Sequence, residues 1–172
     1  MVKRIKVWSY SCLDLGWSST LRSLNVLVVE DSPADVRLIR EALKGAAVPV
    51  QIAVAKDGIE AMDYLHNSEG KASRPDLMLL DLNMPRKNGR EVLAEVKASP
   101  ALKQIPVLVM TSSHADEDIN QAYELNANCY ITKPHDFHEY VKVVRAIENF
   151  WFITASLPEG FHDGAIPLAH TA

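Results

Sequence analysis

The sequence predicts an α/β protein with a doubly wound, five-stranded parallel sheet and five helices. Short apolar runs alternate five times with longer amphipathic segments, an order typical of right-handed β–α–β units. The run Leu77–Leu80 is apolar at every position, which indicates a strand covered on both faces, as in a parallel sheet. Together these two observations favour an open sheet with helices on both sides.

The first half of this core contains two strands and two helices. Ser32 supplies a capping hydroxyl and Pro33 a first helical position, and Gly45 is expected to end the first helix. The second helix begins at Asp57-Gly58-Ile59-Glu60, which resembles a capping box, and runs through Leu65. The strands that precede these helices are predicted at Leu24–Val29 and Val50–Ala55.

The second half supplies three strands and three helices. The strands are predicted at Leu77–Leu80, Pro106–Met110 and Cys129–Thr132. The fourth helix is expected to turn Ile119, Ala122 and Tyr123 towards the core. The three helices are predicted over Asn88–Ala98, Ala115–Leu125 and Asp136–Phe152.

These elements divide the chain into a core and two tails. We expect a domain over residues 24–152, a poorly ordered N-terminal extension over residues 1–23 and a C-terminal tail over residues 153–172. Each tail is too short to form a domain of its own.

Composition excludes several classes of protein. The chain has 172 residues, of which 48% are hydrophobic and 23% charged, and these values exclude disordered, collagen-like and coiled-coil classes. No apolar run approaches the ~20 residues of a membrane helix. A net charge of −4 argues against a nucleic-acid-binding surface. Only Cys12 and Cys129 are present, so a disulfide scaffold is excluded and a cytoplasmic location is expected.

Polar side chains follow four of the five predicted strands where those strands end. Glu30 and Asp31 follow the first strand, Asp81 the third, Thr111 the fourth and Lys133 the fifth. Any one of them alone is more often a helix cap or a solvated residue. Because the carboxyl ends of parallel strands meet at one edge of the sheet, where ligands bind, the whole set indicates a site.

The chemistry of this set favours phosphoryl transfer. Three neighbouring carboxylates repel one another unless a cation neutralises them, and an all-oxygen ligand set suits Mg²⁺. Asp81 is the best candidate nucleophile because it ends the most apolar, most central strand, whereas Glu30 and Asp31 are better placed to hold the metal. Thr111 and Lys133 would then bind the phosphoryl oxygens.

The motifs around these residues are those of a known family. They read Val28-Val29-Glu30-Asp31-Ser32, Leu79-Leu80-Asp81-Leu82-Asn83-Met84-Pro85, Gly89, Val109-Met110-Thr111-Ser112 and Tyr130-Ile131-Thr132-Lys133-Pro134. In order and spacing the chain resembles the receiver domain of two-component response regulators, whose chemotaxis-regulator-like fold is flavodoxin-like. The resemblance covers the whole predicted core.

The resemblance implies a role for each matching residue. Asp81 would accept a phosphoryl group from a histidine kinase or a phosphotransfer protein, without the chain being a dedicated enzyme. Asp31 and Asp81 would bind Mg²⁺ directly, Glu30 through water, and Asn83 through its backbone carbonyl. One departure is the Glu-Asp acidic pair where Asp-Asp is commonest, and this variant is expected to alter the metal geometry slightly.

The same resemblance implies a conformational switch. Thr111 and Tyr130 match the pair that reorients when phosphate arrives, and Lys133 matches the phosphate-binding lysine. The bond from Lys133 to Pro134 is typically cis in the family, which would turn the chain and aim the lysine inward. Ser112 is bulkier than the usual Ala or Gly, so we expect it to narrow access to Asp81.

A narrower resemblance concerns the small response regulators paired with phytochrome kinases of cyanobacteria and other bacteria. The matching text is Lys87-Asn88-Gly89-Arg90-Glu91-Val92-Leu93, Ala127–Pro134 and Glu148-Asn149-Phe150-Trp151-Phe152. This resemblance implies a phytochrome kinase as the phosphoryl donor.

The final helix carries more apolar residues than one core-facing side needs. In one interpretation one or two of its terminal aromatics close the core; in the other, the helix forms an apolar patch that binds a second copy of the chain. We favour a homodimer through this surface, because aromatics are enriched in interfaces. Its candidate residues are Val141, Val144, Phe150, Trp151 and Phe152.

Two other functions compete with this hypothesis. A phosphohydrolase with an aspartate nucleophile, resembling the haloacid dehalogenase family, would use a similar set, but it would place its nucleophile strand first and an acid/base where Asn83 stands. A flavodoxin-like cofactor binder would need a glycine-rich turn after the first strand, and the sequence lacks one there.

Overall fold

The computed structural model describes residues 7–9, 23–68 and 74–158. Within these residues one six-stranded sheet runs in the order β1-β3-β2-β4-β5-β6, and all neighbours pair in parallel except β1, which is antiparallel to β3. The strands are β1 (Val7–Ser9), β2 (Leu24–Val29), β3 (Val50–Ala55), β4 (Leu77–Leu80), β5 (Val107–Thr111) and β6 (Cys129–Thr132).

Five α-helices connect the parallel strands or follow them, so the predicted fold class is confirmed. They are α1 (Pro33–Ala42), α2 (Gly58–Ser68), α3 (Gly89–Ala98), α4 (Asp116–Glu124) and α5 (Phe137–Ile147). A π-helical segment, Glu148–Thr154, continues α5. None of the helices in the described ranges has the length and apolar character that crossing a membrane requires.

The edge strand β1 was not predicted, because Val7–Ser9 lies in the segment expected to precede the core. It pairs with β3 from Val7 against Ala53 to Ser9 against Gln51. Residues 1–6, 10–22 and 159–172 lie outside the described residues, so the predicted order of the two tails stays a prediction.

The side chains of the sheet feed two apolar layers. Along β2, Leu27 and Val29 face one layer while Val26 and Val28 face the other, as the period of two in a strand requires. Helices α2, α3 and α4 cover the first layer, and α1 and α5 cover the second. The buried strand β4 is therefore covered on both faces, as its uniformly apolar sequence predicts.

Local sequence signals begin and end α1 as expected. The Ser32 side chain accepts a hydrogen bond from the Asp35 backbone N–H, and Gly45 adopts a φ of 75° just after α1. At the start of α3, Asn88 and Glu91 form a reciprocal capping box. These caps hold the N-termini of α1 and α3 next to the carboxyl edge of the sheet.

Helix α4 is less buried than its sequence predicts. Ala122 is its one fully buried side chain, and Ile119 is half-buried. Tyr123 is 51% exposed, so the prediction that it faces the core is wrong. The physical reason is that Ala122 occupies the inward position, and the next residue along a helix points about 100° away.

Candidate functional site

The sheet brings the predicted residues to one edge through its register. Val29 at the end of β2 pairs with Leu80 at the end of β4, so Glu30 and Asp81 begin the adjacent loops. Thr111 pairs with Thr132, and Lys133 follows immediately. The strand order reverses between β2 and β4, which is the switch point where doubly wound sheets bind ligands.

Three carboxylates meet at this switch point. One oxygen from each of Glu30, Asp31 and Asp81 lies within 4.8 Å of the others. Glu30 and Asp81 are 3% and 7% exposed, whereas Asp31 is open to solvent. Hard oxygen donors at this spacing, with one face open to water, fit Mg²⁺, which keeps several of its waters when bound to protein.

Lys133 neutralises much of this negative charge. Its Nζ lies 2.6 Å from Glu30, 2.7 Å from Asp81 and 2.8 Å from Asp35. Sequence reasoning missed Asp35. The available signal was its position in the first turn of the helix that follows Glu30 and Asp31, which places it near the same edge.

The pKa values of the buried pair reflect two opposing effects. Burial alone lowers the pKa of Lys133, but its hydrogen bonds to Asp35, Asp81 and Glu30 outweigh burial, so the net pKa is raised and the ammonium stays charged. Burial raises the pKa of Glu30 above its ordinary value, although Lys133 and the Ser32 backbone N–H oppose the increase. A cation bound at Glu30 would favour its charged form and so oppose the effect of burial.

Asp81 lies between the lysine and the loop that follows β4. Its Oδ2 accepts from Lys133, and its Oδ1 accepts from the Asn83 backbone N–H at 3.0 Å. The Asn83 side chain donates to Thr111 Oγ1 at 3.3 Å, and Thr111 is fully buried. Because the Thr111 oxygen accepts this bond, its own O–H hydrogen is available to a new acceptor beside Asp81.

Tyr130 and Pro134 lie at the two ends of the β6 region. The Tyr130 hydroxyl donates to the Ser113 carbonyl oxygen at 3.1 Å, and burial raises the pKa of this phenol. Pro134 follows Lys133 through a trans peptide bond, since none of the described peptide bonds is cis. The prediction of a cis bond is therefore wrong, and Lys133 reaches the carboxylates with its bond to Pro134 in the commoner trans form.

The backbone after Asp81 is held in place by close packing. A Cβ added to Gly89 would lie 2.0 Å from the Asp81 carbonyl oxygen and 2.7 Å from Leu82 Cα. Arg86 adopts a φ of 67° and pairs with the buried Asp57. Sequence analysis missed this ion pair, whose partners are far apart in the chain.

The candidate dimer surface is only partly exposed. Val144 is 0% exposed and packs in the core beneath α5, so it does not belong to this surface. Val141, Trp151 and Phe152 are half-buried against the same core layer. Phe150 is 54% exposed, so one aromatic of the three extends into solvent.

The fold and site together define a doubly wound α/β domain with an acidic metal-type site at its switch point. Residues 26–145 match the family described as response regulator receiver domain, and the chain belongs to that family. The response regulator Rcp1 of Synechocystis sp. is 47% identical over 136 residues, a match that covers 77% of this chain and 92% of that protein.

Two solved structures extend the comparison. The phosphorylated cyanobacterial phytochrome response regulator RcpA is 48% identical, with a TM-score of 0.77 over 80% of this chain and 100% of that one. The Mn²⁺-bound form of Rcp1 is 46% identical, with a TM-score of 0.75 over 79% of this chain and 99% of that one. The predicted likeness to receivers of the phytochrome-associated type is confirmed, and the family is one of signalling domains.

Proposed function

We propose that the chain is a response regulator that accepts a phosphoryl group on Asp81. The main support is the position of the Asp81 side chain. Asp81 is buried, hydrogen-bonded to Lys133, and one of three carboxylates grouped within 4.8 Å at the switch point of the sheet. A nucleophile, a cation and a set of metal-type ligands thus share one small site.

In the reaction, an Asp81 carboxylate oxygen attacks the phosphorus atom of a phosphohistidine on the donor. The new O–P bond forms as the P–N bond breaks, and the released imidazole takes a proton from water. Lys133 and the Thr111 hydroxyl donate to phosphoryl oxygens as negative charge develops on them. Lys133 already contacts Asp81, and Thr111 is linked to the same loop through the Asn83 side chain.

Glu30, Asp31, Asp81 and the Asn83 carbonyl are the groups that would hold Mg²⁺. When bound, the ion would neutralise charge on the carboxylates and on the transferred phosphoryl oxygens. The Mn²⁺-bound structure of Rcp1 supports a divalent site in this part of the family. Burial raises the pKa of Glu30, and a bound cation would oppose that effect by favouring the charged carboxylate.

Signalling would follow from a change at Thr111 and Tyr130. Thr111 would turn its hydroxyl towards the phosphoryl group, and the loop after β5 would move with it. Tyr130 would be displaced as well, because its hydroxyl donates to the carbonyl of Ser113 in that loop. The surface formed by β6, α4 and α5 would then differ between the two phosphorylation states.

The donor is proposed to be a histidine kinase, and specifically a phytochrome kinase. The support is the likeness to RcpA, described as a phytochrome response regulator, at 48% identity. Phosphotransfer from a purified phytochrome kinase at a rate above that from an unrelated histidine kinase would test this partner. Equal rates would contradict it.

We also propose a homodimer through the end of the final helix. Phe150 and Ile153 are 54% and 56% exposed and adjoin the half-buried Trp151. A two-fold axis through this patch would bury it against the same patch of a second copy. Light scattering on wild type and Phe150→Asp would test it: a dimer that becomes a monomer in the variant is expected, and a wild-type monomer would contradict the proposal.

Intact mass spectrometry after incubation with phosphoramidate and Mg²⁺ tests the main proposal. We expect one added phosphoryl group on wild type and none on Asp81→Asn. Asp63→Asn is the matched control, because Asp63 is exposed on α2 and the same charge is removed. Phosphorylation of the Asp81→Asn variant would refute the assignment, and rapid turnover of the donor without a trapped adduct would favour a phosphohydrolase.

A further inference from the structure

Ser113 lies between the two residues of the proposed switch. Its backbone N–H makes a long 3.5 Å contact with Thr111 Oγ1, and its carbonyl oxygen accepts from the Tyr130 hydroxyl at 3.1 Å. One residue therefore contacts both switch side chains through its main chain. Any force that fixes Ser113 also restricts the positions of Thr111 and Tyr130 relative to each other.

The Ser113 side chain is itself fixed by a charged pair. Its hydroxyl donates to Asp118 in the first turn of α4 and accepts from the Ala115 backbone N–H at 3.3 Å. Asp118 pairs in turn with Arg90 of α3. These contacts, the Ser113 hydrogen bond foremost, lower the pKa of Asp118.

Arg90 also connects Asp118 to the loop after β4, which contains Asp81. It follows Gly89, whose backbone N–H donates to the Leu82 carbonyl at 3.0 Å and whose α-carbon packs against the Asp81 carbonyl. The chain of contacts therefore extends from the backbone beside Asp81, through Arg90 and Asp118, to Ser113. It joins the loop after β4 to the loop after β5 outside the acidic site itself.

We propose that Arg90 and Asp118 are positioning residues that hold Ser113 against the switch and so set how well Asp81 retains a phosphoryl group. This inference rests on the proposed function of Asp81. With Ser113 fixed, Thr111 receives hydrogen bonds from the Asn83 side chain and the Ser113 N–H, which leaves its hydroxyl hydrogen for a phosphoryl oxygen. Preorganisation of this kind lowers the cost of binding the phosphoryl group.

The test compares two aspartates on the same turn of α4. Asp118→Ala removes both contacts, whereas Asp118→Asn keeps an oxygen for the Ser113 hydroxyl and loses the charge opposite Arg90. Asp116→Asn is the control, since the Asp116 side chain is exposed in the same first turn of α4. The steady-state phosphorylated fraction with phosphoramidate and Mg²⁺, and the decay rate after donor removal, are measured for each.

We expect Asp118→Ala to accelerate decay by about three- to tenfold, Asp118→Asn to have a smaller effect, and Asp116→Asn to match wild type. Adding Asp118→Ala to a Ser113→Ala variant should change nothing further, because Asp118 acts through that hydroxyl. Equal decay rates in Asp118→Ala and Asp116→Asn, or additive effects in the double variant, would overturn the inference.

A readout on the unphosphorylated protein separates this inference from the proposed function. Amide hydrogen exchange at Ser113 should accelerate in Asp118→Ala and not in Asp116→Asn. If wild type accepts no phosphoryl group, the proposed function of Asp81 fails, while the exchange rate still shows whether Arg90 and Asp118 hold Ser113 in place. Unchanged exchange in Asp118→Ala would refute this positioning role whatever the phosphorylation result.

Discussion

Replacing Lys133 with methionine removes the ammonium that neutralises the acidic site but keeps a side chain of similar length. Lys133 makes three charge-assisted contacts, at 2.6, 2.7 and 2.8 Å. Two of its partners, Glu30 and Asp81, have side chains only 4% and 7% exposed. The variant therefore leaves two buried carboxylates without their cation.

The magnitude follows from how well each partner can be hydrated. Breaking a buried ion pair costs about 3–5 kcal/mol because the remaining charge stays desolvated. Asp35 is 26% exposed and can turn to water, so its pair adds only about 0.5 kcal/mol. We expect Lys133→Met to lower the free energy of unfolding by about 3 kcal/mol at neutral pH, since protonation of Glu30 and water entry relieve part of the cost.

The stability of the Lys133→Met variant should also depend on pH and on Mg²⁺. Removal of Lys133 raises the already elevated pKa of Glu30 further, so stability in the variant falls as pH rises through that pKa and recovers as pH is lowered towards 4.5. Mg²⁺ should stabilise the variant more than wild type, because the ion replaces the missing charge.

Urea unfolding followed by circular dichroism, with EDTA or with Mg²⁺, measures these effects. Lys142→Met is the matched control, because the Lys142 side chain is 71% exposed and pairs with the exposed Glu139. A loss below about 1 kcal/mol in EDTA, with no response to pH or Mg²⁺, would refute the electrostatic reasoning.

Three further predictions concern the core and the loops. Gly89→Ala should reduce phosphorylation of Asp81 and cost about 1–3 kcal/mol, because the new Cβ meets the Asp81 carbonyl oxygen at 2.0 Å; unchanged phosphorylation kinetics would contradict this. Val144→Ala should cost about 2 kcal/mol by urea unfolding and the half-buried Val143→Ala less, with equal costs counting against the burial argument. Asp118→Asn should cost about 0.5 kcal/mol at neutral pH. Because its folded pKa is lowered, that difference is present above 3.8 and lost as pH falls through the folded value, so a difference that grows in acid would refute it.

The acidic site could be predicted from the sequence because a small number of physical rules is enough to determine its position. Apolar runs locate the parallel strands, and the residues after those strands must meet at one edge. Glu30, Asp31, Asp81, Thr111 and Lys133 all lie there.

Other features depend on contacts that no local pattern specifies. Asp35 contacts Lys133, and Ser113 contacts Tyr130. Both contacts depend on the direction of a side chain and on the path of a loop, which are determined only when the helices pack against the sheet. Tyr123 and Val144 were assigned to the wrong environments because helical spacing alone leaves the rotation of a helix uncertain by about one residue. The edge strand β1 was missed because its pairing with β3 is non-local.

Mapping the phosphoryl site identifies the acceptor residue itself. Wild type is phosphorylated with phosphoramidate and Mg²⁺, the acyl phosphate is reduced with borohydride, and peptides are analysed by mass spectrometry. We expect the aspartate converted to homoserine to be Asp81, with Asp31, Asp35 and Glu30 unchanged. Conversion of one of those neighbouring carboxylates in place of Asp81, or of none, would refute the assignment of Asp81 as the acceptor.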